Sequence, residues 1–408
     1  MQQSIKKLYE GLETMSLDAA LATSLALALG EGWDDNPSTG ILHLKGAKLL
    51  IQNALMHGGR SLAVNHWNAE NARRLKFLCN TFVYLDVIAR LTSKEPQDDF
   101  DFAALLTAGS QASNTKSIEV DPLMGCATDL FPIIGEVATL IQKVRDPGSR
   151  LNLLIIEEAG RLKELLERWQ APHADHVETP EDPDLAVQDA IHTAESYRLA
   201  TLLYLYQGVP EIATESTFSL ARRILQTIMK ARDDSQIIIV QIYPLLVGSC
   251  EMTSPEDRTW VRNRWNTMIS RLTILNVESC WKLVQEVWKR RDLYAVVKAQ
   301  NLPLQQFSPH MIVPKLKRKT HSADDVSSEQ EFFGELRSPW RETAKDLRPF
   351  KRRLTAASSP QLPLAPTSAP ILTRRHTAMS APMIEPEYTV RGGLHWLSVM
   401  GEWNWEGR

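Results

Sequence analysis

Two short stretches combine residue types that could do chemistry, and the first is an acidic loop with two histidines. His173 and His176 are close together, and the carboxylates around them are Asp175, Glu178, Glu181 and Asp182. Imidazole and carboxylate groups can bind a metal ion, but a stable site needs three or four ligands on a rigid frame. We therefore interpret this stretch as a solvated acidic loop rather than a metal site.

The second stretch is Gly-Ser-Cys-Glu at 248–251, which offers a hydroxyl and a thiol as nucleophiles. A nucleophile on a strand-to-helix turn needs flanking glycines, and it is activated by a base such as histidine. Neither feature occurs near this stretch in the sequence. The sequence also lacks a P-loop, a dinucleotide-binding fingerprint and an H-E-x-x-H motif. We interpret the stretch as a helix end followed by a turn, and we do not expect an enzyme.

The cysteines and the net charge limit the kinds of binding that this chain can perform. The four cysteines lie far apart, at positions 79, 126, 250 and 280, and no two form a C-x-x-C pair. They cannot build a zinc binuclear cluster, which needs six closely spaced thiolates. A net charge of −3 gives no general attraction to nucleic acid.

The elements that position these residues are helices. Apolar residues recur with a period of about 3.6 from the N-terminus to about residue 300, which is typical of amphipathic helices. The predicted helices span residues 17–29, 41–56, 69–91, 129–144, 151–169, 185–206, 215–231, 236–250, 255–272 and 277–299. Residues 97–121 are predicted to be irregular. The pattern predicts an all-α domain over residues 1–300, with an irregular, superhelical arrangement of helices.

The start of one predicted helix carries a strong local signal. Ser254 precedes Pro255, Glu256 and Asp257. A serine caps free backbone N–H groups, proline suits the first helical position, and acids face the positive end of the helix dipole. Four arginines follow on this helix with an apolar stripe, at Arg258, Arg262, Arg264 and Arg271. A basic partner-binding face is one interpretation, and we favour the other, solvated charges beside buried tryptophans.

After about residue 302 the composition changes. Pro, Ser, Thr and Ala accumulate and apolar periodicity fades, so we predict a mostly disordered, basic tail over residues 301–408. Trp396, Trp403 and Trp405 are an unusual aromatic load for such an end. One basic cluster is a candidate nuclear-import signal, made of Lys315, Lys317, Arg318 and Lys319. Thr320 and Thr377 follow basic residues and are candidate phosphorylation sites.

The N-terminal region predicts neither secretion nor membrane insertion. Lys6 and Lys7 are followed by acids, unlike the apolar core of a signal peptide. The apolar run at 19–30 is far shorter than the roughly 20 residues that span a bilayer. We expect no membrane association.

Residues 244–292 combine an apolar stretch with a set of spaced motif residues, which are Gly248, Cys250, Glu251, Glu256, Asp257, Arg258, Val287, Trp288, Arg291 and Asp292. With these residues the stretch resembles the end of the fungal-specific transcription factor domain, a helical regulatory region found downstream of zinc binuclear clusters. Three earlier segments, 77–92, 120–141 and 195–207, resemble the family in the same order, the second through its Asp-Pro-Leu-x-Gly pattern. The resemblance covers about residues 41–299.

This resemblance implies a nuclear regulator of RNA polymerase II transcription. Its partners would be the transcription machinery or another regulator, and a homodimer is left open. Contact with DNA would be indirect or through a missing module, and zinc would be bound only by a six-cysteine module upstream. The family motif also implies that Trp288 is buried where its helix meets residues 244–250. The alternatives are a helical interaction scaffold and a small-molecule-responsive regulatory module, both without direct DNA binding.

Overall fold

The fold is all-α. The computed structural model describes residues 15–31, 40–57, 69–94, 100–110, 118–149, 151–178, 186–272, 275–300 and 384–405. These contain twelve α-helices: α1 (Leu17–Glu31), α2 (Ile41–His57), α3 (Ala69–Thr92), α4 (Phe102–Ser110), α5 (Phe131–Arg145), α6 (Leu153–Arg168), α7 (Val187–Gly208), α8 (Thr217–Ile228), α9 (Ile242–Cys250), α10 (Pro255–Arg271), α11 (Leu275–Ala299) and α12 (Trp396–Glu402). Within these ranges the structure has isolated bridges and no strand.

Helix α7 is the centre of the core. Every residue from Leu199 to Gly208 is buried, so this half of the helix is surrounded by protein, as expected of a helix that is largely apolar on all sides. It packs against α5, α6, α8 and α9. A Cβ atom at Gly208 would lie 1.9 Å from Cδ1 of Ile141. Glycine at this position therefore allows α5 and α7 to approach closely.

Before residue 300 the predicted helix boundaries agree closely with the structure, and two stretches differ. Residues 97–121, predicted to be irregular, contain α4. The predicted helix at 236–250 begins as a 3-10 helix, Gln236–Gln241, before α9. The predicted start of α10 is confirmed, because the backbone N–H of Asp257 donates to Oγ of Ser254 at 3.1 Å.

The assignment of residues 301–408 to a tail is wrong for residues 384–405. This stretch, hereafter the C-terminal segment, contains α12 and contributes Leu394, Trp396, Leu397 and Val399 to the buried core. The segment therefore belongs to the same compact unit as the helices that precede residue 300. The packing partners of the segment lie about a hundred residues or more earlier, which explains why a local pattern did not reveal it.

Within the described residues, no helix combines the length and apolar character needed to span a membrane.

Candidate functional site

The family-motif residues lie where α9 turns into α10 and meets α11. Gly248 brings α9 against α8, since a Cβ atom there would lie 3.1 Å from Leu225 and 3.2 Å from Ile224. Next to it, Ser249 accepts two indole hydrogen bonds. Nε1 of Trp265 donates to its Oγ at 3.2 Å, and Nε1 of Trp288 donates to its carbonyl oxygen at 2.8 Å.

Three tryptophans form a cluster behind this turn. The rings of Trp265 and Trp281 are stacked with centroids 6.4 Å apart, and those of Trp281 and Trp288 meet edge to face at 5.6 Å. Trp288 is 6% exposed. The prediction that it is buried against the helix ending at Cys250 is therefore confirmed.

Arg258 and Asp292 cover the outer side of Trp288. The guanidinium of Arg258 lies 4.8 Å from the indole centroid, within range of a cation–π interaction. Its two Nη atoms donate to the two carboxylate oxygens of Asp292, each at 2.7 Å, and its Nε donates to the carbonyl of Met252. The family-motif residues Arg258, Trp288 and Asp292 thus form one layered contact that joins α10 to α11.

Glu251 and Arg291 form a buried ion pair at the centre of the site. Nη2 of Arg291 lies 2.8 Å from Oε1 of Glu251, and the side chains are 7% and 4% exposed. Arg291 also donates from Nη1 to the carbonyl of Cys250 at 2.8 Å and from Nε to the carbonyl of Leu394 at 3.1 Å. Glu251 accepts a bond of 2.9 Å from Nε2 of Gln207. Burying these charges is tolerable because each has several partners.

His395 extends this polar network into the C-terminal segment. Its Nδ1 accepts from the backbone N–H of Leu397 at 3.2 Å, so its Nε2 carries the proton and donates to Oε1 of Gln207 at 3.0 Å. The ring is fully buried. Burial, together with the positive charges of Arg291 and Arg145, holds the pKa of His395 well below its ordinary value. The network therefore contains a neutral histidine.

Cys250 is buried beside this network and is unsuited to nucleophilic chemistry. Burial raises the pKa of its thiol well above the ordinary value, with Arg291 opposing the shift. Nucleophilic attack needs the thiolate, which this environment disfavours. The side chain lies among apolar residues of the core, as a small hydrophobe does.

The histidine loop does not assemble a metal site within the described residues. His173 and His176 are exposed, with ring centroids 6.3 Å apart, and Nδ1 of His173 lies 3.1 Å from a carboxylate oxygen of Asp175. No group of three potential ligands occurs in the described ranges, and Glu181 and Asp182 lie outside them.

The interpretation of the α10 arginines as solvated is wrong for Arg264. This side chain is 3% exposed, pairs with Asp233, and donates from Nη2 to Oε1 of Gln241 at 2.6 Å. Burial lowers the pKa of its guanidinium, and Asp233 opposes that shift. Arg262 and Arg271 are exposed, as interpreted, and Arg271 donates to backbone carbonyls of Asp233 and Asp234.

Of the basic residues after Trp288, Arg290 pairs both within its own helix and over a long distance. Arg290 is 1% exposed and donates to Glu286 one turn away, at 2.9 Å. Its Nη1 and Nη2 also donate to the two carboxylate oxygens of Glu402, 112 residues later, at 2.8 and 2.7 Å. The sequence offered one hint of these contacts, the aromatic load near Trp396.

The earlier Asp-Pro-Leu-x-Gly segment forms a tight turn before α5. Oδ1 of Asp121 accepts from the backbone N–H groups of Leu123 and Met124, at 2.9 and 2.8 Å. Its Oδ2 accepts from Nδ2 of Asn80 on α3 at 2.8 Å. Gly125 closes the turn with φ 58°, a left-handed conformation that favours glycine. The segment thus fixes α3 relative to the start of α5.

An open groove of about 680 Å³ lies beside this turn. Three basic side chains line it, and each is paired with an acid: Arg73 with Glu70, Arg74 with Asp18, and Lys76 with Glu119. These acids reduce the positive potential that a polyanion would need.

The family model described as the fungal specific transcription factor domain matches residues 1–349. This match covers most of the chain and includes all four segments that carry the resemblance. The chain belongs to the fungal-specific transcription factor domain family. The match is longer than the 41–299 expected from sequence, at both ends. No curated protein and no solved structure gives a significant match.

Several residues of the network were not singled out from the sequence. Gln207 stands at the end of a segment that resembles the family, but His395 and Glu402 lie beyond residue 349, where the family model ends. The candidate import residues Lys315, Lys317, Arg318 and Lys319 lie outside the described residues, as do Thr320 and Thr377. Their roles stay predictions.

Proposed function

We propose that this chain is a nuclear regulator of RNA polymerase II transcription, acting as the helical regulatory region of a fungal transcription factor without a zinc-cluster DNA reader of its own. The match of residues 1–349 to the family is the observation that carries this proposal. The chain acts through the transcription machinery or another regulator, and binds no cofactor itself.

The cysteines and the paired arginines of the site support the proposal that this chain does not contact DNA directly. Four dispersed cysteines are too few for a binuclear zinc cluster, and all four are buried among helices. The arginines of the site, Arg258, Arg264, Arg290 and Arg291, are each engaged by acids of the same chain. Cations that are already paired release few counterions from a phosphate backbone. Sequence recognition therefore belongs to a partner or to a further module.

The test of the regulatory role is a tethered reporter. The full chain is fused to an unrelated DNA-binding domain, and transcription from a promoter with its site is measured in a fungal host. We expect the chain to change transcription and the tagged protein to be nuclear. Nuclear exclusion and an unchanged reporter would favour a scaffold with no role in transcription.

A variant pair tests the import signal separately. Replacing Lys315, Lys317, Arg318 and Lys319 by alanine should lower the nuclear fraction. Replacing the exposed Lys282 and Lys289 of α11 removes charge without touching the cluster, and it should leave the distribution unchanged.

Direct DNA binding is tested by titrating the purified chain against a family-type site and a scrambled duplex at physiological salt. We expect equal, weak binding to both. A preference of about a thousandfold, the low end for specific binders, would contradict the proposal.

A further inference from the structure

The C-terminal segment lies in a groove formed by α7, α11 and the turn after α5. Its backbone is held directly, because the N–H of Val390 donates to the carbonyl of Gln207 at 3.0 Å. Arg391 donates from Nε to the carbonyl of Val144 at 2.5 Å and from Nη2 to that of Ser149 at 2.7 Å. The groove thus binds main chain and side chain of the segment, as peptide-binding sites do.

Apolar anchors fill the centre of the groove. Trp396 is fully buried, and its ring lies 5.8 Å from that of Tyr204 on α7. Leu397, Val399 and Met400 are at most 3% exposed. Large, fully desolvated aromatic anchors carry most of the free energy in protein interfaces.

Charged contacts hold both ends of the segment. At its start, Glu385 pairs with Lys298 at 2.7 Å and accepts from the hydroxyl of Tyr294 at 3.2 Å. At its end, Glu402 makes the two bonds to Arg290. An apolar centre with polar contacts at its margins is the usual anatomy of an interface.

The segment also folds on itself. The N–H of Leu394 donates to the carbonyl of Glu387 at 3.0 Å, and that of Trp405 donates to Met400 at 2.9 Å. A Cβ atom at Gly392 would lie 2.2 Å from the carbonyl oxygen of Glu387, so glycine permits this tight fold. Preorganisation of this kind lowers the entropic cost of binding.

We propose that this groove is a peptide-binding site whose resident ligand is the chain's own C-terminal segment, residues 384–405. The contacts above join the segment to α5, α7 and α11, all of which end before residue 300. The covalent connection raises the local concentration of the ligand, while specificity comes from the groove. The segment exchanges as a unit while the helical domain stays folded.

The test uses the full chain with a protease site introduced between residues 340 and 350. After cleavage at micromolar concentration, we expect the C-terminal fragment to co-elute with the helical domain in gel filtration. A fluorescent peptide of residues 384–405, added in excess, should then replace it while the circular dichroism signal is unchanged.

Two peptide variants test the anchors. The Trp396→Ala peptide should compete at least tenfold more weakly, the loss expected of a buried interface anchor. Trp403 is 38% exposed in the same segment, so the matched Trp403→Ala peptide should compete within about twofold of the parent. Equal competition by all three peptides would overturn the assignment of the groove.

Other outcomes also overturn the proposal. Loss of the fragment from a folded domain would show that the groove holds no ligand without the covalent connection. A fragment that leaves only when the domain unfolds would be part of the core rather than a ligand. The uncut chain could also form dimers in which the segment of one copy lies in the groove of the other. In that case the ligand of the groove would be a second copy of the chain.

Discussion

Arg291 of α11 and Glu251, the residue after α9, form an ion pair with 2.8 Å between Nη2 and Oε1, almost completely removed from solvent. The pair joins the two family-motif stretches, and through the carbonyl of Leu394 it also reaches the C-terminal segment. Removing one member would leave the other as an uncompensated buried charge. Substitution in this buried pair should therefore cost more stability than substitution in the more exposed pair of the motif, Arg258 and Asp292.

We expect Glu251→Gln to lower the free energy of unfolding by about 3–5 kcal/mol, as breaking buried pairs does. Urea denaturation measures this loss. The control is Asp292→Asn, which removes the same charge from the pair with Arg258. Asp292 is 58% exposed, so solvent screens the loss, which should stay below about 1 kcal/mol. Similar losses in both variants would contradict the special position of Glu251.

Trp288→Ala should destabilise the protein by about 3–5 kcal/mol, because truncating a large core side chain leaves a cavity. It would also leave the carbonyl of Ser249 without its indole donor. The matched change is Trp403→Ala, at a ring that is 38% exposed. Thermal or urea unfolding of both variants measures the two losses of stability. A Trp288→Ala protein as stable as the control would be incompatible with this packing.

Gly125→Ala should cost about 1–2 kcal/mol, the strain of placing an L side chain in the left-handed region. Gly125 has φ 58°, and a Cβ atom there would meet Cδ1 of Ile237 at 3.2 Å. Gly160 within α6 is the opposite case, because nothing lies within 4 Å of an added Cβ atom. Gly160→Ala should stabilise the protein by about 0.5–1 kcal/mol. Shifts of the urea midpoint should therefore have opposite signs.

The stability of the protein should fall as the pH falls below about 6.5, the ordinary histidine pKa. The folded-state pKa of His395 is lowered by burial and by Arg291 and Arg145. Between this pKa and the ordinary one, the unfolded state binds a proton that the folded state does not. Each such proton contributes a slope of up to about 1.4 kcal/mol per pH unit, and the stabilisation is complete above pH 6.5.

The variant His395→Asn isolates the contribution of His395 to the pH dependence of the free energy of unfolding. Asparagine can accept the N–H of Leu397 as a helix cap but does not titrate, so the slope between pH 6.5 and 5 should decrease. His192 also has a lowered pKa, mainly through burial, and leaves a residual slope in both proteins. Urea titrations at several pH values give the comparison, and identical slopes would mean that His395 does not titrate as described.

The helices could be predicted from sequence because their apolar faces repeat within the chain itself. The start of α10 and the burial of Trp288 were also predictable, from a local cap and a family motif. The burial of Arg264 and Arg290 was not, because their partners Asp233 and Glu402 lie 31 and 112 residues away. Local charge patterns indicate exposure unless a distant acid is known.

Helices α4 and α12 were missed for a related reason. They have 9 and 7 residues, too few for a clear 3.6 period, and helices this short are not stable alone. Packing stabilises them, as when Trp396 of α12 contacts Tyr204 of α7. A Pro- and Ser-rich stretch precedes α12. Because its composition predicts disorder, the apolar anchor that follows it was assigned to the tail as well.

The late position of the C-terminal segment has a consequence for synthesis. The segment begins about 85 residues after the end of α11, which at roughly 5–20 residues per second corresponds to about 4–17 s of translation. During that interval the nascent chain lacks His395, the hydrogen-bond partner of Gln207, and Trp396, which covers the ring of Tyr204. A helical domain that folds before the segment is made exposes the ring of Tyr204, and a chaperone that binds apolar surfaces can reach it.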